Sequence, residues 1–351
     1  MLQILKSKRI DIPLLIGIII LVTFSILILR SIAPFIFPQY YVYILVGFLL
    51  MLLFSQIDYE IVELFRGHLY FLSILFLISP LIIGQVTRGA VRWIPLGSFT
   101  IQPAEIVRPF LIVFYASFLS VANINIRKLI KALFLLFIPV VLILVQPSLG
   151  VAILTLISFL GVILASNINK KYIAMGIFAV ILSLPLIWQI LAPYQKARMT
   201  TFMNPEADPL GAGYNSLQSM ISVGSGKIYG YGLGKGVQTQ LQFLPEQHTD
   251  FIFASVAEEL GFIGSVTILL FSFFILWRLT VFMEMSESPA ARSFIMGVFL
   301  VLLVQMIINI GMNLGLLPIT GLPLPLVSAG GSSFIATMIS IGIAMGAVRR
   351  T

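Results

Sequence analysis

From Ile12 to Leu29 the chain runs for 18 residues without one charged side chain, and similar runs recur along nearly its whole length. About 20 apolar residues in helical form match the thickness of a bilayer's hydrocarbon core. Inside that core every backbone N–H and C=O needs an internal partner, so such runs fold as helices. The expected spans are 12–29, 40–55, 69–84, 105–121, 131–146, 149–166, 172–192, 251–283, 292–313 and 332–348. The fold class is therefore all-α: a polytopic membrane protein of about ten transmembrane helices. It is expected to form a single domain over 1–351, with one long extracytoplasmic loop at about 193–250. Composition agrees, because only 10% of the residues are charged, where a soluble domain carries roughly a quarter to keep its surface wet. The fifth and sixth spans are split by Gln146-Pro147-Ser148-Leu149-Gly150, since Pro cannot continue a helix. Pro139 and Pro185 fall inside spans and predict kinks there.

The formal net charge is +8, a balance that on a soluble chain would point to nucleic acid. The placement of the basic residues points to topology instead. With the N-terminus in the cytoplasm, Lys6, Lys8, Arg9, Arg66, Arg127, Lys128, Lys131, Lys170, Lys171, Arg278, Arg292, Arg349 and Arg350 fall on the cytoplasmic side. The short external segments carry only Arg30, Arg88, Arg92 and Arg108. This bias sets both termini in the cytoplasm, makes membrane lipids the surroundings, and leaves no role for nucleic acid. The first apolar run reads as a span, because no small-residue cleavage site follows it. The chain has no cysteine, which excludes disulfides, thiolate metal sites and a catalytic thiol. No internal repeat and no second soluble domain is evident.

Three external segments break the apolar monotony: Gly89–Glu105, the long loop, and Pro318–Ser333. Chemistry is expected on this face. Asp250 stands where the long loop enters a span. A carboxylate at a bilayer boundary is costly and therefore calls for a reason. One reason is a general base. Another is a helix N-cap, for which Asp is equally suited, and at this level both readings stand. His248 lies two residues earlier, without a metalloprotease spacing. Glu258 and Glu259 follow two turns on, where pairing with a neighbouring helix or an ion path would account for them. The stretch Gly224–Gly236 looks like a phosphate cradle but lacks the Walker spacing, so alternating Gly indicates tight turns or close backbone packing. Trp93 suits an interfacial aromatic belt. Glu105 and Arg108, three residues apart, can pair on a starting helix.

These stretches converge. Gly89-Ala-Val-Arg-Trp-Ile-Pro-Leu-Gly97, Gln102-Pro-Ala-Glu105, Gln146-Pro-Ser-Leu-Gly150, Asn204–Tyr214, the Asp250 segment and Asn309–Ser333 together resemble the SEDS family of shape, elongation, division and sporulation proteins. The resemblance covers nearly the whole chain in order. Ala257-Glu-Glu-Leu-Gly261 and Pro318–Pro325 are more similar to its RodA branch than to its division branch, FtsW. The resemblance implies a peptidoglycan glycosyltransferase of the bacterial cytoplasmic membrane that polymerises lipid II through β-1,4 bonds during elongation and shape maintenance. It also implies a single-pass class B penicillin-binding transpeptidase as partner. The family's essential aspartate maps onto Asp250, its Gln-Pro-Ser-Glu motif onto Gln102–Glu105 with Ala104 in place of Ser, and its Lys onto Arg108. Ser148 replaces a family acid and Ala329 a family Tyr.

The implied chemistry is self-consistent. Lipid II is a polyprenyl pyrophosphate, an activated donor that needs no nucleotide. Conversion of an α-linked donor to a β-linked product inverts the centre and asks for one base, for which Asp250 is the candidate. The pyrophosphate leaving group needs cations, and external Arg92, Arg108, Lys196 and Arg198 are candidates. Trp93, Glu105, His248, Ser332 and Ser333 complete the set of expected substrate-binding residues. A divalent cation, Mg2+ or Mn2+, is the candidate cofactor, though no ligand cluster in the sequence marks its site. Two other functions compete: a flippase or transporter of the same lipid-linked precursor, and a scaffold that positions another synthase.

Overall fold

The apolar runs are helical, and flanking residues account for where several begin and end. The computed structural model describes residues 10–87, 90–97, 99–120, 124–190, 193–204 and 213–348. In chain order the first helices are α1 (Ile12–Ile32), α2 (Gln39–Gln56), α3 (Tyr59–Leu64) and α4 (Arg66–Ile83). A small antiparallel sheet follows, with strands β1 (Gln85–Thr87), β2 (Ala90–Leu96) and β3 (Phe99–Ile101) in that order. Then come α5 (Pro103–Ile106), α6 (Arg108–Leu119), α7 (Ile126–Val145), α8 (Leu149–Ala165) and α9 (Lys170–Ile190). The remainder is α10 (Pro193–Met203), α11 (Tyr214–Ser225), α12 (Val237–Gln240), α13 (Ile252–Met285), α14 (Pro289–Asn313) and α15 (Gly331–Gly346). Asp11 caps α1 by accepting from the Leu14 N–H at 2.9 Å, and Ser288 caps α14 in the same manner.

Six helices, α1, α2, α4, α7, α13 and α14, are long and apolar enough to cross a membrane, and each coincides with an expected span. The protein is a multi-pass membrane protein. The expected span at 105–121 is broken into α5 and α6, because the ring of Pro109 would clash with the Glu105 carbonyl in a continuous helix. The other three expected spans, 149–166, 172–192 and 332–348, fall on α8, α9 and α15. Helix α15 is buried from Ser332 to Gly346 and forms the centre of the bundle, with α2 packed along it. A helix that is apolar all round belongs in such a place. At the periphery α2 exposes Leu45, Leu49 and Leu53, α4 exposes Phe71, Leu72 and Leu75, and α7 exposes Phe134 and Phe137. These are lipid-facing stripes at helical spacing.

Two features depart from expectation. The segment before Gln102 is a three-stranded sheet, with Ile94 opposite Ile101 and Gly97 at φ +66° opening the turn into β3. Tyr43 of α2 pins it, donating to the Thr100 carbonyl at 2.9 Å and accepting from the Thr100 N–H at 3.0 Å. The long loop is also not structureless, since it contains α10, α11 and α12, and α11 packs on α13 and α14. Most of the Asn204–Tyr214 stretch, together with Lys6, Lys8, Arg9, Arg88, Arg349 and Arg350, lies outside the described residues.

Candidate active site

Asp250 sits at the end of the bundle that carries the sheet and the long loop. Just before it the chain winds tightly. Glu246 has φ +54°, and its carbonyl accepts from the N–H groups of Thr249, Asp250 and Phe251 at 3.1, 3.1 and 3.3 Å. The segment 318–330 lies alongside: Ala329 N–H donates to the His248 carbonyl at 2.9 Å and Ser328 Oγ to the Thr249 carbonyl at 2.7 Å. Both rest on the C-terminal half of α1, since Gln247 donates to the Ile32 carbonyl at 3.1 Å and Ser25 Oγ to the Val327 carbonyl at 2.5 Å. The His248 ring packs edge-on against Phe35, with ring centres 5.7 Å apart. The Asp250 carboxylate is half-buried and faces Gly321, where an added Cβ would come 3.5 Å from Oδ2. Gly321 has φ +73°, a conformation that favours glycine. The cap position of α13 is held by Phe251, not Asp250, and the Ala254 N–H in the first turn is satisfied by Asn313 Oδ1 at 2.9 Å.

Glu258 and Glu259 do something different. Helix α13 is interrupted at Gly261, whose φ is +67° and ψ −161°. The Gly-rich loop threads the break. Tyr231 and Gly232 donate to the carbonyls of Glu258 and Glu259 at 3.0 and 2.9 Å, while Phe262 and Ile263 donate to the carbonyls of Lys227 and Ile228 at 2.8 and 3.2 Å. The backbone groups orphaned by the break are thus satisfied by another part of the protein, as they must be at membrane depth. The approach is so close that a Cβ on Gly226 would fall 1.7 Å from the Ala257 carbonyl oxygen. The alternating glycines therefore serve backbone packing, not phosphate. Glu258, fully buried, accepts from the N–H groups of Gln238 and Thr239 at 2.8 and 3.0 Å, at the start of α12. Glu259 accepts from Gln240 Nε2 at 2.8 Å and Thr239 Oγ1 at 3.3 Å. Gln240 and Gly234 continue to Ser31 on α1. These acids bond the loop, not the neighbouring helix that the sequence suggested.

The other expected residues fall into three groups. Arg198 of α10 is laid on the 318–330 segment, donating to the Ile319 carbonyl at 3.3 Å, two residues from Gly321. Lys196 donates to the Gln189 carbonyl at 3.2 Å. Glu105, Arg108, Ser332 and Ser333 gather in a second polar cluster beneath that segment. Glu105 and Arg108 form the expected ion pair, both almost fully buried. Ser332 Oγ accepts from the Gln102 N–H at 2.9 Å, and Ser333 Oγ accepts from Gln305 Nε2 at 3.2 Å. Gln305 also donates to the Pro323 carbonyl at 2.8 Å. Arg108 lines a small cavity with Gln305, Thr337 and Ser340 rather than an exposed surface. Arg92 and Trp93 lie on β2, which packs against α4 and α5. Among the described residues no three His, Asp or Glu side chains gather in a metal-holding group. Gln305, Asn309 and Asn313 escaped the sequence reading as site residues. Their signal was a polar stripe at four-residue spacing on an otherwise apolar helix.

The chain matches the cell cycle protein family of FtsW, RodA and SpoVE over residues 8–351. It is 38% identical over 305 residues to the peptidoglycan glycosyltransferase MrdB of Escherichia coli (strain K12), covering 86% of this chain and 82% of that protein. It is 37% identical over 310 residues to the probable peptidoglycan glycosyltransferase FtsW of Idiomarina loihiensis, covering 86% and 75%. The fold is similar to a chain of a peptidoglycan synthase complex that coordinates polymerisation and crosslinking, with TM-score 0.83, 30% identity, and 95% and 96% of the two chains covered. It is also similar to the rod shape determining protein RodA of Thermus thermophilus, with TM-score 0.72, 26% identity, and 96% and 95% covered. With its length, its motif order and its bundle all shared, this chain belongs to the SEDS family of FtsW, RodA and SpoVE.

Proposed function

We propose that the chain is a peptidoglycan glycosyltransferase that joins lipid II units into β-1,4 glycan strands, with Asp250 as the general base. The observation that carries this reading is a half-buried carboxylate at the loop end of the bundle, beside Gly321 of the 318–330 segment. It occurs in a chain 38% identical to a named peptidoglycan glycosyltransferase. The acceptor hydroxyl gives its proton to the Asp250 carboxylate as its oxygen bonds to the anomeric carbon of the donor. The bond from that carbon to the pyrophosphate breaks, and its electron pair leaves with the polyprenyl pyrophosphate. The configuration inverts in this single displacement. The anionic leaving group is met by Arg198, whose anchor on the Ile319 carbonyl keeps it beside Gly321, with Lys196 two residues away on α10. Arg108, locked to Glu105 in the interior, positions α5 and α6 instead of touching substrate. Trp93 and Arg92, carried on β2 of the sheet, are the aromatic and cationic candidates for further substrate contact. Were a divalent cation, Mg2+ or Mn2+, to bind, Asp250 would be the carboxylate to hold it together with substrate phosphates, the usual ligands of Mg2+, and it would supply charge neutralisation to the leaving group.

The Lys and Arg bias puts both termini inside and the loop end outside the cytoplasmic membrane, on the face where the growing wall is found. The stretches Ala257–Gly261 and Pro318–Pro325 favour the elongation branch. By analogy with the similar synthase complex, the partner is a single-pass class B penicillin-binding transpeptidase. The test is reconstitution of the purified chain in liposomes with labelled lipid II, with and without that partner. Glycan polymer is the expected product. Translocated monomer without polymer would identify a flippase, and neither product under both conditions would identify a scaffold.

A further inference from the structure

We infer that Asn309 is the positioning residue that sets the gap in front of the Asp250 carboxylate. This rests on the reading of Asp250 as the base. Asn309 is fully buried one turn before the C-terminal end of α14, between apolar neighbours Met306 and Met312. Its Nδ2 donates to two carbonyls that belong to different segments: Asp250 O at 3.0 Å and Leu322 O at 2.8 Å. Those segments are the two sides of the site, because Leu322 follows Gly321 and Gly321 faces Asp250 Oδ2. A single planar NH2 group thus fixes how far the backbone that carries the carboxylate stands from the backbone at the glycine.

Asn313, one turn later, reinforces only one side. Its Nδ2 donates to the same Asp250 carbonyl at 3.0 Å, and its Oδ1 accepts from Ala254 N–H at 2.9 Å. The Asp250 carbonyl therefore has both acceptor positions filled, which fixes the peptide plane as well as its location. Asn309 differs from Asn313 in one further way: its Oδ1 is buried without a hydrogen-bond partner. An unpaired buried acceptor is unfavourable. It is tolerated because an uncharged side chain with two donors on one atom has to be an amide. Ser and Thr carry one donor, and Lys or Arg would bring a charge into the interior. The geometry has the form expected of a residue kept for the distance it sets.

Positioning makes its own prediction in rate. A shift of about 1 Å in a reacting group costs on the order of 100-fold. Asn309→Leu, similar in size but without donors, is expected to lower kcat for lipid II polymerisation roughly 10- to 100-fold while KM changes less than about two-fold, because the substrate's own contacts remain. Asn309→Ser, with one donor, is expected to fall between, and it carries the test if the Leu variant does not fold. The decisive readout is the double variant. If Asn309 acts through Asp250, adding Asn309→Leu to Asp250→Asn lowers the residual rate no further. Losses that multiply in the double variant, or a normal kcat for folded Asn309 variants, would overturn the inference. Failure of the base reading looks different: Asp250→Asn alone would polymerise at the normal rate, whatever the Asn309 variants do.

Discussion

The two ends of the segment from Asp250 to Glu259 carry the same chemical group and treat it in opposite ways. At the far end, the carboxylates of Glu258 and Glu259 are fully buried and bonded to the backbone and side chains of residues 238–240. At the near end Asp250 is only half-buried, and a glycine stands across from it. Glu105, paired with Arg108 in the interior, belongs with the buried kind. An acid near a membrane is therefore not by itself a sign of chemistry or of an ion path. What separates the kinds is burial: the fold has sunk Glu105, Glu258 and Glu259 into its interior and left Asp250 partly exposed.

That distinction can be broken by substitution, and the expected effects on stability fall in a definite order. Arg108→Ala leaves Glu105 as an uncompensated buried charge, which costs about 3–5 kcal/mol and lowers activity without abolishing it. Replacing both residues by apolar ones is expected to cost less than the sum of the two single losses, because neither charge is then stranded. Denaturant or thermal unfolding in detergent gives the cycle, and strict additivity would show that the pair does not interact. Glu258→Gln comes next. Gln keeps one acceptor oxygen and turns an NH2 toward the second of the two N–H donors at 2.8 and 3.0 Å, a loss of about 1.5–3 kcal/mol for a charged acceptor. A Glu258→Gln protein as stable as the parent would mean that the loop is not held through this side chain. Asp250→Asn stands last, with a stability change within about 0.5 kcal/mol.

Much of the bundle was legible in the sequence, because lipid imposes a length and a composition on each span and Pro147 marks where two spans part. The sheet was legible in principle. Arg88-Gly89 and Gly97-Ser98 are two-residue turn signals between short runs that suit strands, but three-residue strands give too little alternation to stand out. The crossing at Gly261 was not legible. Its bonds run from backbone to backbone across some 30 residues of chain, and main-chain groups carry no sequence signature beyond the glycines that let them approach. Asp250 stood out because a carboxylate at the edge of an apolar run is conspicuous. Asn309 did not, because its contribution depends on which two carbonyls lie beside it, and that is decided by the fold.

The central claim is that Asp250 is kept for proton transfer at a partly exposed carboxylate and not for the helix it precedes. Asn has nearly the same size as Asp and serves a helix N-terminus as well, but it does not take a proton from a sugar hydroxyl. The measurement is glycan polymer formed from lipid II by a detergent-stable Asp250→Asn protein, together with its unfolding temperature. The account predicts an unchanged unfolding temperature and a rate reduced about 100- to 10,000-fold, with no recovery at raised Mg2+ or Mn2+. Recovery at high metal would assign the carboxylate to metal ligation instead, and polymerisation at the parent rate would contradict the claim outright.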